Sequence, residues 1–347
     1  MRLRPRAGPA ATVDVPLWDR LGELEEYREL CRVRVEHVVP VREPLVLVSQ
    51  IQRSGGTLLS QLFDGHPECH ADPYELKFGH PKQANWPPLD LARPESWFEI
   101  LRDPTVDERL RPTARTKQPN AGRSVFPFVF LSRLQKAIFD ACVAARPPER
   151  EREVLDCYFT SYFNAWLDNQ SLYSGPKRVV TGFVPRLAME LGNVERFFAA
   201  YPEGTLISIV RDPRAWYVSA AKHFPKHYSD VEVALGLWRR STEAAVEARE
   251  RFGERVVLLT YEQLVLETEA AMRELAGRVG ISMLPLLLQP TFNGRPIRAN
   301  SSEAVGRYGV LQERVGAYRD SLAAETVERI EELTGDLYDR AAAAAVA

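Results

Sequence analysis

The stretch Pro44–Leu59, PLVLVSQIQRSGGTLL, decides the fold of this chain. An apolar run of strand length leads into a Ser-Gly-Gly-Thr turn, and a helical pattern follows the turn. A strand, a glycine turn and a helix start place several backbone N–H groups around one point, at the positive end of a helix dipole. Such a point holds a phosphate or another tetrahedral oxyanion. Arg53 adds a fixed charge that can reach the same anion with two donors.

Two better-known glycine loops do not fit this turn. A nucleotide-hydrolase P-loop reads G-x-x-x-x-G-K-[ST], and the turn has neither the leading glycine nor the lysine. The dinucleotide fingerprint G-x-G-x-x-G is absent as well. An ordinary strand-to-helix turn remains the alternative. The stretch therefore becomes informative only if the chain holds a second anion site downstream.

Composition and charge set the general class. The chain has 347 residues, of which 45% are apolar and 27% are charged, as in soluble globular proteins. The net charge of −2 argues against a nucleic-acid or anionic-membrane binder, so any anion site must be local. The sequence contains no apolar run long enough for a transmembrane helix, so no integral membrane association is expected. The basic stretch Met1–Arg6 is not followed by the apolar segment of a secretory signal.

The cysteines and histidines predict neither disulfides nor a metal site. The four cysteines are widely separated and form no CxxC pair, which indicates a reducing, cytoplasmic location without structural disulfides. The histidines and cysteine between residues 66 and 80 are irregularly spaced for metal ligands. Pro225 separates His223 from His227, so these two are more typical of solvated loop residues than of a shared ligand face, although the entrance of a cleft also fits.

Further apolar runs predict the rest of the sheet. Arg178–Phe183, Thr205–Val210 and Arg255–Thr260 have the character of buried parallel strands. Helical patterns alternate with them, which indicates a three-layer, P-loop-like α/β fold with a central, mainly parallel sheet. We expect residues 1–20 to form a loose arm and residues 21–345 to form one domain. An irregular insert rich in aromatic residues and proline is expected at about residues 80–177.

A second candidate anion site follows the strand at Thr205–Val210. The run continues as RDPRAWYVS, which places Arg211 at the carboxyl edge of the sheet, where ligands of open α/β sheets bind. Pro213 is suited to the first turn of the next helix. Ser219 can return a hydroxyl towards the strand end, and an Arg–Ser pair suits a terminal phosphate. A solvated salt-bridge corner is the alternative interpretation of this turn.

Together the two runs resemble the sulfotransferases that use 3′-phosphoadenosine 5′-phosphosulfate (PAPS). The first is similar to the family's 5′-phosphosulfate loop, and the second to its 3′-phosphate motif R-D-P-R-x-x-x-x-S. Leu259–Val265 and Asn300–Tyr308 agree more weakly with later family segments, so the resemblance extends from about residue 44 to 340. The arginine in the loop is similar to the bacterial and Golgi-type branch of the family.

The resemblance implies a donor site and its product. PAPS would be the donor, adenosine 3′,5′-bisphosphate would be the product, and no metal would be required. Arg53 would also be catalytic, because it would neutralise the leaving oxygen. The residues implied in donor binding are Arg53, Ser54, Gly55, Gly56, Thr57, Leu58, Arg211, Ser219, Tyr261, Arg298 and Ser301.

The resemblance also implies a general base, for which the sequence offers three candidates. Glu75 is the closest counterpart of the family's glutamate, and an enclosed cleft can raise a carboxyl pKa into the useful range. A salt-bridged surface role is the alternative for Glu75, and His70 and Asp72 are the other candidate bases. The family carries a histidine or lysine near Val179–Arg186, where this chain has neither; Arg186 or Lys77 could replace it.

One further departure concerns the loop, since Gly56 stands where the family usually has threonine. The expected function is in-line transfer of a sulfuryl group from PAPS to a hydroxyl of a small-molecule, glycan or peptide acceptor. The alternatives are a small-molecule P-loop kinase and a non-catalytic nucleotide-binding relative. Neither the acceptor nor the oligomeric state follows from the sequence.

Overall fold

The computed structural model describes residues 17–76, 85–103, 129–297 and 307–345. The chain divides into two compact units, residues 1–38 and 39–347. The first unit contains helix α1, Leu17–Glu36, in which the exposed Arg32 pairs with Glu29 and Glu36. The second unit contains the sheet and the candidate site.

A five-stranded, all-parallel sheet forms the centre of the second unit, as the sequence predicts. Its strands are β1 (Leu45–Val48), β2 (Cys69–Glu75), β3 (Val179–Phe183), β4 (Thr205–Val210) and β5 (Val256–Thr260), in the spatial order β2-β3-β1-β4-β5. All four residues of β1 are buried, because β1 is the middle strand and helices cover both faces. After β1 the chain forms β2 and β3 on one side of β1 in the sheet, and it then forms β4 on the other side. The carboxyl ends of β1 and β4 therefore form the switch point at which open α/β sheets bind ligands.

Strand β2 is an element that the sequence analysis does not predict. It contains Pro73, which cannot donate a ladder hydrogen bond and normally argues against a strand. The structure accommodates this proline because β2 is an edge strand, and its register against β3 shifts between Ala71 and Glu75. As a result, Glu75 lies beside Phe183 at the carboxyl edge of the sheet.

One face of the sheet is covered by α2 (Gly56–Phe63), α10 (Tyr261–Leu266) and α11 (Thr268–Val279). Their apolar side chains join those of the strands in one buried cluster. The chain leaves helical geometry at Glu267, so α10 and α11 are separate helices. Helix α2 ends at Phe63, and Gly65 follows in a left-handed conformation with φ 73°.

The opposite face is covered by a second layer of helices: α6 (Leu191–Ala200), α7 (Pro213–His223), α8 (Pro225–Tyr228), α9 (Val231–Phe252), α12 (Ala324–Thr334) and α13 (Leu337–Ala343). Trp216, Tyr228 and Trp238 are fully buried in this layer. Gly335, with a φ of 52°, ends α12 before α13 begins.

The described part of the insert contains α3 (Pro94–Leu101), α4 (Ser132–Ala145) and α5 (Glu151–Ala165). Cys142 on α4 and Cys157 on α5 form a disulfide, with their Cα atoms 5.7 Å apart. The expectation that the chain has no structural disulfide is therefore wrong. The two cysteines are 15 residues apart in sequence, but the turn between the two helices brings them together.

The remaining strands, β6 (Thr291–Phe292) and β7 (Arg295–Pro296), form a short antiparallel hairpin. None of the described helices is long and apolar enough to cross a membrane.

Candidate functional site

The loop after β1 is fastened to both neighbouring strands by buried serines. The Ser49 amide donates to the carbonyl of Ile207 (3.0 Å), and its hydroxyl donates to the carbonyl of Val184 (2.7 Å). The Ser208 hydroxyl donates to the Ser49 carbonyl at 2.7 Å. The start of the loop is therefore fixed between β3 and β4, which positions the turn that follows.

The turn ends at the amino terminus of α2. Gly55 has a φ of 105°, in the left-handed region, and no side chain caps the helix. The first N–H groups of α2 therefore point out of the helix without a helical acceptor, at the positive end of its dipole. A Cβ at Gly55 would lie 2.8 Å from a ring carbon of Tyr261, so glycine is required by both conformation and space.

The neighbours of Gly56 explain why this position has no side chain. A Cβ at this position would overlap the aromatic ring of Phe183 and the amide nitrogen of Gln50. Both side chains are almost fully buried, so neither has free space into which to move. The threonine that the family usually has cannot fit here, because Phe183 and Gln50 already fill its volume.

Arg53 and Arg211 meet beside this turn. The Arg53 Nε donates to the Ser219 hydroxyl at 3.1 Å, and an Arg211 Nη donates to the Arg53 carbonyl at 2.9 Å. Burial lowers the pKa of Arg53, and the positive charge of Arg211 lowers it further. Among the described residues, no carboxylate lies within ion-pair distance of either guanidinium. The site thus holds two adjacent positive charges that an anion would stabilise.

The other charged residues of the Arg-Asp-Pro-Arg turn, Asp212 and Arg214, stabilise the turn itself. Asp212 caps α7 by accepting from the Arg214 amide at 2.9 Å, and it forms an ion pair with the Arg214 side chain. Arg214 also pairs with Glu331 on α12. Arg211 instead lies over the ring of Tyr261, 4.2 Å from its centroid. The motif therefore contributes Arg211 to the site and uses Asp212 and Arg214 to hold the turn.

Several buried polar atoms at this edge have no hydrogen-bond partner within the described part of the chain. They are the Ser54 hydroxyl, the Gln50 amide group and the Arg211 Nε. Burying a polar group without a partner is costly, so such a cluster is unusual in a structural turn. Hydroxyl, amide and guanidinium donors beside an uncapped helix suit an oxyanion such as a phosphate or sulfate.

The three candidate bases lie at different depths along β2. His70 is buried near its amino end, and burial lowers the pKa of the imidazole to about 3. Its Nε2 lies 3.8 Å from Glu43, but a neutral imidazole makes no ion pair there. Asp72 is buried and accepts from the Tyr162 hydroxyl and, at 2.7 Å, from the Tyr74 amide. Glu75 lies at the carboxyl edge, where its charge opposes the lowering of the Arg53 pKa by burial and by Arg211.

A sequence profile described as the sulfotransferase family matches residues 44–285, which is more than half of the chain. The chain belongs to the sulfotransferase family. This range contains both candidate anion-binding runs and the whole parallel sheet. No curated protein sequence compared with the chain matches it significantly.

Three solved structures illustrate what the fold is similar to. The sulfotransferase domain of the Synechococcus PCC 7002 olefin synthase is 15% identical over 86% of this chain and 97% of its own length, with a TM-score of 0.46. The sulfotransferase STF9 from Mycobacterium avium is 16% identical over 91% and 81%, with a TM-score of 0.42. The mouse sulfotransferase SULT7A1, complexed with PAP, is 11% identical over 91% and 93%, with a TM-score of 0.39.

The other predicted residues of this sulfotransferase are distributed as follows. Thr57 and Leu58 lie in the first turn of α2, and Tyr261 is the first residue of α10. Arg298, Ser301 and Lys77 lie outside the described residues. Arg186 follows β3 and has a left-handed backbone with φ 68°.

Two residues that shape the site are not predicted from the sequence. Gln50 and Phe183 are apparent only from the space around Gly56, although the glycine in place of threonine is a signal that something else fills the position. The searched part of the chain contains no group of side chains that could hold a metal ion. His66, a metal candidate by residue type, hydrogen-bonds the Ser282 carbonyl at 2.9 Å and accepts from the Glu68 amide.

Proposed function

We propose that this chain transfers the sulfuryl group of PAPS to a hydroxyl of an acceptor molecule. The observation that carries the proposal is the contact between Arg53, which precedes the α2 turn, and Ser219 on α7. This contact brings the two candidate anion-binding runs together, as a donor with negative groups at two positions would require. A single phosphate would need only one of the runs.

The α2 turn would bind the 5′-phosphosulfate. The free N–H groups at the start of α2, the Ser54 hydroxyl and the Thr57 hydroxyl are donors for its oxygens. Arg211 and Ser219 would bind the 3′-phosphate, with Arg211 supported by the Tyr261 ring. Bound PAPS would supply the activated sulfuryl group, and the residues of the chain would supply orientation and charge.

Arg53 would stabilise the negative charge that develops when the sulfur–oxygen bond to the phosphate breaks. Its guanidinium is held by Ser219, so little reorganisation is needed as the charge appears. Transfer of this kind depends mainly on positioning and on electrostatic stabilisation, as phosphoryl transfer does.

Glu75 would accept the proton of the acceptor hydroxyl as its oxygen forms the new bond to sulfur. Glu75 is favoured over the other two candidates by its place at the carboxyl edge, near Arg53. The Asp72 carboxylate is occupied by Tyr162 and Tyr74, and His70 is buried towards the other end of the strand.

A thermal-shift titration tests the donor. Adenosine 3′,5′-bisphosphate without magnesium is expected to raise the melting temperature in a concentration-dependent manner, because a ligand that binds only the native state stabilises it. Stabilisation by ATP with magnesium alone would instead support a kinase and contradict the proposal.

Transfer of labelled sulfate from PAPS tests catalysis. A screen of phenolic, saccharide and tyrosine-peptide acceptors is expected to give labelled product with the wild-type chain. If the chain binds the bisphosphate but transfers sulfate to no acceptor, the result would contradict the proposed catalysis and support a non-catalytic nucleotide-binding protein.

A further inference from the structure

One peptide group just after β4 is held by side chains from two other helices. Its carbonyl, which belongs to Arg211, accepts from the indole Nε1 of Trp238 on α9 at 2.9 Å. Its amide, which belongs to Asp212, donates to the two carboxylate oxygens of Glu262 on α10, at 3.3 and 3.4 Å. Both polar atoms of the group therefore have partners from outside the turn. These contacts fix the peptide plane from which the Arg211 side chain leaves the backbone.

The Arg211 side chain is aligned as well. Its guanidinium lies 4.2 Å from the centroid of the Tyr261 ring, and one Nη donates to the Arg53 carbonyl at 2.9 Å. Its buried Nε has no hydrogen-bond partner within the described residues. The arginine is thus held in one orientation, with a donor that the protein does not use and that a phosphate oxygen could accept from.

The Glu262 carboxylate lies near Arg211 without pairing with it. It accepts from the Tyr338 hydroxyl on α13 at 2.9 Å, in addition to the Asp212 amide. Burial raises the pKa of Glu262, whereas the hydrogen bond from Tyr338 and the charge of Arg211 lower it. The carboxylate is therefore occupied by two donors, and the guanidinium of Arg211 stays available to an anion.

Helix α13 is anchored on the same layer as Trp238. Leu337 and Ala341 of this helix are buried in one apolar cluster with Trp238. Trp238, which binds the Arg211 carbonyl, and Tyr338, which binds Glu262, therefore rest on a common support. A segment more than 120 residues after Arg211 in the sequence thus contributes to the geometry of this turn.

The turn has its own means of starting α7, so Glu262 is not needed as a helix cap. The Asp212 carboxylate caps α7 by accepting from the amides of Arg214 and Ala215, at 2.9 and 3.4 Å. Glu262 instead binds the Asp212 amide, on the side of the residue that faces Arg211 in the chain. Its contact therefore acts on the direction of Arg211 rather than on the helix that follows.

We propose that Glu262, supported by Tyr338, positions Arg211 for the 3′-phosphate of the donor, so that α13 contributes to the selectivity of the donor site. This inference rests on the proposed function. Glu262 is a positioning residue, because it acts through the Asp212 amide and not on the donor itself.

Titration calorimetry on the full chain with two nucleotides tests the inference. Adenosine 3′,5′-bisphosphate has the 3′-phosphate, and adenosine 5′-monophosphate lacks it. We call the ratio of their dissociation constants the 3′-phosphate preference. For the wild-type chain we expect a preference of about 100-fold, in line with one or two hydrogen bonds between charged groups.

Two substitutions of Glu262 separate positioning from simple charge. Glu262→Ala removes the acceptor of the Asp212 amide and should lower the preference about tenfold. Glu262→Gln keeps an oxygen that can accept from that amide, so it should retain the wild-type preference. If Glu262 were only a nearby negative charge, both variants would bind the bisphosphate more tightly, and that result would overturn the inference. An equal loss in both variants would overturn it as well, because the accepted hydrogen bond would then not be what matters.

Tyr338→Phe keeps the inference testable if Glu262→Ala does not fold, since it removes only a hydroxyl group. It should lower the preference about threefold, and it should have no further effect in an Arg211→Ala chain, because its effect passes through Arg211. An equal effect in both backgrounds, or none in the wild-type background, would contradict the proposal.

Thr334→Ala is the matched control for stability. The buried Thr334 hydroxyl donates to the Ile330 carbonyl at 2.8 Å on α12, so the variant loses a hydrogen bond in the same layer without touching Glu262. It should lower the melting temperature and leave the 3′-phosphate preference unchanged. A preference that falls in Thr334→Ala as it does in Tyr338→Phe would show a structural effect and overturn the inference.

The wild-type titrations distinguish the two proposals. If the wild-type chain does not prefer the bisphosphate, the proposed function fails, and this inference fails with it. If the wild-type chain has the preference and Glu262→Ala and Tyr338→Phe keep it in full, only this inference fails.

Discussion

The Arg211 guanidinium donates to the backbone carbonyl of Arg53 across 2.9 Å. A residue at the end of β4 therefore supports the conformation of the loop that follows β1, including the left-handed φ of 72° at Arg53. The contact means that the two candidate anion-binding runs are structurally coupled. A substitution in one run is expected to affect both.

Arg211→Ala should weaken binding of adenosine 3′,5′-bisphosphate by about 1.5–3 kcal/mol, as expected for the loss of a charged hydrogen bond. Titration calorimetry measures this affinity directly, with Arg133→Ala on α4 as the control. Unchanged affinity in Arg211→Ala would remove Arg211 from the site.

Glu75→Gln should lower the turnover number at least about 100-fold, because a positioned general base contributes roughly that much or more. Binding of the bisphosphate should be unaffected. Asp72→Asn serves as the comparison and should reduce stability more than turnover, since Asp72 is buried against Tyr162. Near-normal turnover of Glu75→Gln would place the base elsewhere.

Gly56→Thr should destabilise the fold by about 1–3 kcal/mol, the usual cost of inserting atoms into filled space. Chemical denaturation of Gly56→Thr, Phe183→Ala and the double variant measures the coupling between the two positions. A smaller loss in the double variant than the sum of the single ones is the expected result. Strict additivity would show that Phe183 is not what excludes threonine.

Asp64 should make stability depend on pH. Burial raises the pKa of its carboxyl to about 7, although Gly294 and Thr291 donate to it. The unfolded carboxyl has a pKa near 4, so between about pH 4 and 7 the folded state holds an additional proton. Stability from this group is therefore lost as the pH rises through that window, by up to about 1.4 kcal/mol per pH unit.

Asp64→Asn isolates this effect, because an amide oxygen can still accept from both donors. As the pH rises from 5 to 8, the wild-type chain should lose stability that Asp64→Asn keeps. The unfolding free energy of the variant should therefore increase relative to that of the wild-type chain. A difference that does not change with pH would mean that the carboxyl titrates normally.

The disulfide between Cys142 and Cys157 should leave only Cys31 and Cys69 as free thiols in the denatured, unreduced chain. Thiol titration counts them. Cys142→Ser with Cys157→Ser should cost about 3 kcal/mol of stability, because the bond closes a loop of roughly 15 residues. Equal stability of the two chains under oxidising conditions would show that the bond contributes little to the fold.

The parallel sheet was largely predictable because four of its five strands are short, mostly apolar and buried runs. The fifth, β2, was not predicted, since Pro73 and its charged neighbours give no strand pattern and only an edge position tolerates them. The disulfide was missed for a different reason. Sequence spacing does not report that α4 and α5 lie side by side, which is what brings the two cysteines together.

The sequence by itself determined that Arg53 precedes a glycine turn between a buried strand and a helix, and that Arg211 follows a buried strand. Both features are local, because the patterns that predict strands, turns and helices depend on residues that are adjacent in sequence. Only the tertiary structure decided that Arg53 meets Ser219, 166 residues away, and that Phe183 and Gln50 exclude a side chain at Gly56. Those relationships depend on strand order and packing, which bring together residues that share no local pattern.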